Sequence, residues 1–158
     1  MPDLLIFVCN ILFLIILSGF FSSSETALTA VSEARIHELA LQGNKRAITI
    51  ESILAKKEKM ISTILIGNNL VNIVASVYAT SFAIIYFGEF DLIFVTILLT
   101  IVLVIFAEVI PKTYAFSHSD QVALTVAPII NFFIFLLTPA TFITCLLYTS
   151  DAADEWIG

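Results

Sequence analysis

The chain has 158 residues, 59% of them hydrophobic and 13% charged, with a net charge of −6 and a mean hydropathy of +1.05. Soluble domains carry about a quarter charged residues, so this composition excludes an ordinary soluble domain. Its apolar runs are far longer than a barrel strand needs and show no alternation, which leaves an all-α integral membrane fold.

Residues 4–21 form the first apolar run, interrupted by Asn10, Ser18 and Gly19. No basic region precedes it and no cleavage pattern follows, so it reads as a retained span rather than a signal peptide. Ser18-Gly19 offers a small surface for close helix packing. The run barely crosses a core of about 30 Å and is expected to finish in the Ser22-Ser23-Ser24 turn.

Residues 25–59 change character. Apolar positions such as Leu28, Val31, Ile36 and Leu39 recur at helical spacing between polar ones, Gly43-Asn44 signals a helix end, and a second short helix follows. The pattern predicts a hairpin of two amphipathic helices at the membrane surface. Of the 7 basic residues, Arg35, Lys45, Arg46, Lys56, Lys57 and Lys59 lie here and only Lys112 lies elsewhere. By the positive-inside rule this loop is cytoplasmic and the N-terminus outside.

A second span is predicted over 60–87, an acidic outer turn over 88–91, and a third span from 92 that breaks at Glu108 and Pro111. The apolar stretch 121–147 contains Pro128, Asn131 and Pro139. It either spans a fourth time or forms a bent, half-inserted pair of helices, and the two prolines favour the bent form. Residues 146–158 differ in composition from the rest and resemble translated adapter sequence, so they are expected to be a non-native tail outside the 1–145 membrane domain. Cys9 and Cys145 read as packed small hydrophobes.

Three polar clusters interrupt the apolar stretches. Glu108 at membrane depth costs roughly 2.5–3.5 kcal/mol and suggests ion binding; a pair with Lys112 at i+4 is the alternative. Pro111 removes the amide that would bond the Ala107 carbonyl. Asn68 and Asn72 share a helix face, with Asn69 beside them and Gly67 before them. One such carboxamide is ordinarily helix–helix glue, whereas three supply neutral hard ligands for a dication. Ser22 and Ser24, beside Glu25, read either as caps of the amphipathic helix or as further oxygen ligands at a helix break. His37 and His118 have no nucleophile at useful spacing, no Asp lies within a span, and no phosphate loop occurs, so the pattern argues against an enzyme.

Ser18-Gly-Phe-Phe-Ser-Ser-Ser-Glu-Thr-Ala-Leu, Ile66-Gly-Asn-Asn-Leu-Val-Asn and Phe106-Ala-Glu-Val-Ile-Pro-Lys-Thr, in this order, resemble the transmembrane domain of the cyclin M / CorC family. The resemblance implies a plasma-membrane magnesium exporter coupled to Na+ entry, with three spans per subunit, a cytoplasmic belt of juxtamembrane helices and a homodimer in the bilayer. A non-transporting Mg2+-responsive sensor or scaffold is the alternative. Carried over by motif, the ligands are Ser22, Ser24, Asn68, Asn69, Asn72 and Glu108. Gly67 and Pro111 then shape the backbone, and Lys112 neutralises Glu108 when the site is empty. The nucleotide-binding CBS pair of that family falls outside this chain, which therefore carries no nucleotide site; no nucleic-acid partner is implied.

Overall fold

The computed structural model describes residues 2–88 and 92–157, without the side chains of 141, 144, 145 and 148–157. Seven α-helices follow in order: α1 Pro2–Ala30, α2 Glu33–Leu41, α3 Lys45–Leu54, α4 Lys57–Phe87, α5 Leu92–Leu103, α6 Ile110–Ser117 and α7 Ser119–Ile157, with a π-helical turn, Val104–Val109, joining α5 to α6. No strand occurs among the described residues. Among the described residues four helical stretches are long and apolar enough to cross a membrane: α1, α4, α5 through α6, and the first 22 residues of α7. The predicted all-α membrane fold is what forms, with three spans and a fourth apolar helix.

Antiparallel packing of α1 on α4 makes the main helix pair. On α4 the buried residues Gly67, Val71, Ala75, Ala79 and Ala83 recur every fourth position. Small side chains in such a row let backbones approach closely, which is how helices associate where lipid removes the hydrophobic drive. At Gly67 the approach is closest: a Cβ there would lie 2.7 Å from the ring of Phe21. That ring also meets Phe133 of α7 edge-on at 5.2 Å, so one aromatic pins three long helices.

Toward the other end of the pair, Asn10 donates to the Tyr78 hydroxyl at 2.9 Å and Phe7 stacks on Phe82. The amphipathic hairpin is present as α2 and α3. Gly43 takes φ +84°, and the Asn44 carboxamide oxygen caps α3 by accepting from the Arg46 and Ala47 amides. Ile36, Ala47, Ile50 and Ile53 form its buried face, and α3 lies against α7, where Ala123, Val126, Ala127 and Ile130 are buried. Asp120 ties the arrangement, accepting from the Ser32 amide at 3.0 Å and pairing with Arg35 at 3.4 Å.

Several expectations change. The serine cluster does not end the first helix, because α1 runs unbroken to Ala30 and the amphipathic helix starts at Glu33, after Ser32. Ser23 and Ser24 are satisfied inside the helix instead, both donating to the Phe20 carbonyl, at 3.0 and 2.6 Å. Nor does the third span break at Glu108: it continues through the π turn. Stretch 121–147 forms part of one continuous helix rather than a pair of helices, with Pro128 and Pro139 inside it. Cys9 is exposed rather than packed, and the side chain of Cys145 lies outside the described residues, as do residues 89–91 of the outer turn.

Candidate functional site

Three polar features meet where α1 crosses α4 and the π turn. Ser18 lies within hydrogen-bond distance of two carboxamide oxygens of α4, Asn68 Oδ1 at 3.0 Å and Asn72 Oδ1 at 2.9 Å. Ser18 is buried and Asn68 nearly so. A hydroxyl has one hydrogen and can satisfy one acceptor at a time. Three oxygens therefore converge around a single proton, an electron-rich point in an apolar frame.

Ser22 stands one turn further along α1. Its hydroxyl is completely buried and has no hydrogen-bond partner. Helical serines and threonines elsewhere in the chain mostly donate back to a carbonyl, as Thr26, Ser76, Thr100 and Thr113 do. At about 100° per residue, Ser22 projects about 40° round from Ser18 and about 60° from Gly19. It thus points between α4, which Ser18 faces, and the π turn, which Gly19 faces.

The π turn supplies the third side. A Cβ on Gly19 would lie 3.1 Å from Pro111 Cγ and 3.8 Å from the Phe106 carbonyl oxygen, so the missing side chain is what admits this backbone. The Ile110 amide donates to the Ile105 carbonyl, five residues back. Pro111 has no amide hydrogen. The Phe106 carbonyl is therefore left without either helical donor, and it looks onto α1 beside Ser18 and Ser22. Sequence reasoning assigned the freed carbonyl to Ala107; the π register moves the vacancy to Phe106 as well. Such turns are frequent at functional sites because they release backbone oxygens without ending a helix.

Glu108 is half-buried on the same turn. Lys112 does not pair with it in this structure: the ammonium lies 3.9 Å from Glu25 of α1, and Glu108 has no ion-pair partner among the described residues. Of the sequence-predicted residues, Ser22, Asn68 and Asn72 face the convergence, with Glu108 on the turn that borders it. Two others are not brought there. Ser24 projects about 160° away from Ser22 and spends its hydrogen on the Phe20 carbonyl. Asn69 is exposed, about 100° round α4 from Asn68. Ser18 and the Phe106 carbonyl were missed as oxygen donors; Ser18 carried a signal, since it precedes Ser22 by one helical turn. Gly67 lies within an unbroken helix and seats the Phe21 ring against the backbone. Among the described residues no three His, Cys, Asp or Glu side chains gather, so an ion here would rest on neutral oxygens and one carboxylate.

Four apolar helical stretches around a buried set of oxygens define an integral membrane domain. Residues 10–150 match the model of the cyclin M transmembrane N-terminal domain, and the chain belongs to that family. It is 41% identical over 107 residues to the UPF0053 inner membrane protein YfjD of Escherichia coli, covering 68% of this chain and 25% of that protein. A UPF0053 protein of Haemophilus influenzae is 42% identical over 109 residues, 69% of this chain and 26% of its own. The polyamine export protein of the same organism is 26% identical over 139 residues, 80% of this chain and 32% of its own. The chain thus spans about a quarter of the length of the first two relatives.

Proposed function

We propose that this is the membrane domain of a divalent-cation transporter of the inner membrane, moving Mg2+ outward with Na+ entry as the driving reaction. The observation that carries the reading is the convergence of the Ser18, Asn68 and Asn72 oxygens around one proton, with the orphaned Ser22 hydroxyl and the Phe106 carbonyl beside them. Mg2+ demands near-octahedral oxygen ligands at about 2.0–2.1 Å and gives up water reluctantly. Neutral oxygens held by three helices suit it: they replace part of the hydration shell without burying excess negative charge. Glu108 supplies the one formal charge beside these oxygens. Na+, also a hard cation, competes for the same oxygens. Apolar packing of Phe7, Tyr78 and Phe82 closes the far end.

The family membership and the relative named a polyamine exporter both favour transport over passive binding. A polyamine needs carboxylates spaced along its length, whereas this set is compact and nearly neutral; that favours a small metal ion as cargo. Magnesium binding to the purified chain is expected to weaken tenfold or more in Asn68→Ala and in Asn72→Ala, since a lost interaction with a charged group is worth about 1.5–3 kcal/mol. Titration calorimetry checks this, with spermidine in a parallel cell. Unchanged Mg2+ affinity in both variants sinks the reading; spermidine binding that displaces Mg2+ redirects it to an organic cation. Flux into proteoliposomes separates a transporter from a Mg2+-responsive sensor.

A further inference from the structure

The end of the α1–α4 pair away from the oxygen cluster carries a second, chemically different feature. Asp3 and Phe7 lie one turn apart on α1, and Tyr78, Phe82 and Tyr86 recur every fourth residue on α4, so each set shares a helix face. Antiparallel packing brings the two faces together. Phe7 stacks on Tyr78, with ring centroids 5.4 Å apart, and on Phe82 at 3.6 Å; Phe82 in turn stacks on Tyr86 at 4.2 Å. A cleft of about 310 Å³ opens beside this ladder of rings, with Asp3 and Tyr86 in its wall.

The Asp3 carboxylate makes no hydrogen bond or ion pair among the described residues. All seven Lys and Arg residues fall between Arg35 and Lys59 or at Lys112, towards the other end of the bundle. Tyr86 ends the ladder: it is 52% exposed and, among the described residues, stacks on Phe82 alone. A hydrocarbon core of about 30 Å that starts after Lys59 ends near residue 80, so Asp3 and Tyr86 stand in the headgroup layer, open to solutes. Interfacial tyrosines by themselves are common membrane anchors, but anchoring has no use for a carboxylate that lacks a counter-charge in the same cleft. Mg2+ holds its water too tightly to exchange it for ring faces. An alkylammonium suits both walls, because its charge is drawn to the carboxylate and its carbon-bound hydrogens lie against a ring face by cation–π attraction. We propose that this cleft binds an alkylammonium group, with the Asp3 carboxylate and the Tyr86 ring as its contacts. The site lies about 21 Å along α4 from Asn72 and does not depend on which ion the oxygen cluster holds.

Fluorine NMR of the full chain labelled with fluorotyrosine, in nanodiscs and with Mg2+ saturating, tests the site. Tetramethylammonium and spermidine are each expected to shift the Tyr86 resonance saturably, while Tyr114, towards the basic end of the bundle, stays in place. Asp3→Asn should weaken both affinities about fivefold or more, and Asp3→Glu should keep most of the binding. Nanodiscs of phosphatidylglycerol, with and without phosphatidylethanolamine, separate the two sources of the group. A Tyr86 shift on adding the ethanolamine lipid, competed away by tetramethylammonium, assigns a lipid headgroup; amine shifts of equal size in both lipids assign a free amine. A Tyr86 shift that NaCl of equal ionic strength reproduces, or amine affinities untouched by Asp3→Asn, overturns the proposal. Asn68→Ala should leave the ammonium shift at the parent value, and Asp3→Asn should leave Mg2+ affinity there, so either reading can fail without the other.

Discussion

Gly67 shows how a single missing side chain holds the frame together. An alanine methyl there would sit 2.7 Å from the Phe21 ring, well inside contact distance. Overpacking of this kind costs about 1–3 kcal/mol, so Gly67→Ala should lower the melting temperature of the detergent-solubilised chain. Adding Phe21→Leu should return part of the loss, and a double variant no better than the single would show that the strain lies elsewhere. The sequence offered Gly67 as a point of close approach or local unwinding; the structure shows a close approach, and spacing cannot say which ring will arrive from a residue forty-six positions earlier. The serines teach the same lesson. Ser18, Ser22 and Ser24 look alike in the sequence, yet a helix that continues through them sorts Ser18 and Ser22 to one side and Ser24 to the other.

At the scale of the element, the π turn Val104–Val109 is the unusual feature of the third span. An α-helix could accommodate the apolar run from 92 onward, and Pro111 alone would ordinarily kink it. Here the ladder shifts by one residue before the proline, so that the Phe106 carbonyl oxygen it strands faces α1 instead of lipid. Pro111→Ala restores an amide hydrogen and allows the turn to relax to α register. Thermal stability is then expected to hold or rise, proline in a helix interior costing about 3 kcal/mol, while Mg2+ affinity falls. An affinity left at the parent value would mean that the displaced Phe106 carbonyl plays no part in binding. Helix α7 makes a related point: two prolines suggested a pair of helices, but the chain continues as one helix whose first half packs on the bundle through Ala123, Val126, Ala127 and Ile130.

Across the whole molecule, charge and packing assign a direction. Six basic residues fall on α2, α3, the short link after α3 and the first turn of α4, and the Asp3 end of α1 lies at the opposite end of the bundle. If that belt is cytoplasmic, a cysteine replacing exposed Ser52 reacts with an impermeant maleimide only after the membrane is opened. One replacing Asp3, in a chain with Cys9 changed to serine, reacts from outside on intact cells. Labelling of Ser52→Cys on intact cells would invert the topology and with it the direction of transport. The belt is tied to the bundle through Asp120, which joins the α1–α2 turn to the start of α7, so a movement of the spans would be felt in it.

Composition, run length and the placement of basic residues settled the membrane class, the apolar spans and the amphipathic hairpin, because hydrocarbon dictates them one segment at a time. The motifs likewise marked the three polar regions. What tertiary structure alone decided was which oxygens share a point. That depends on the rotation of each helix about its axis and on the level at which two antiparallel helices cross, and both follow from contacts between residues distant in the chain, such as Phe21 with Gly67 and Gly19 with Pro111.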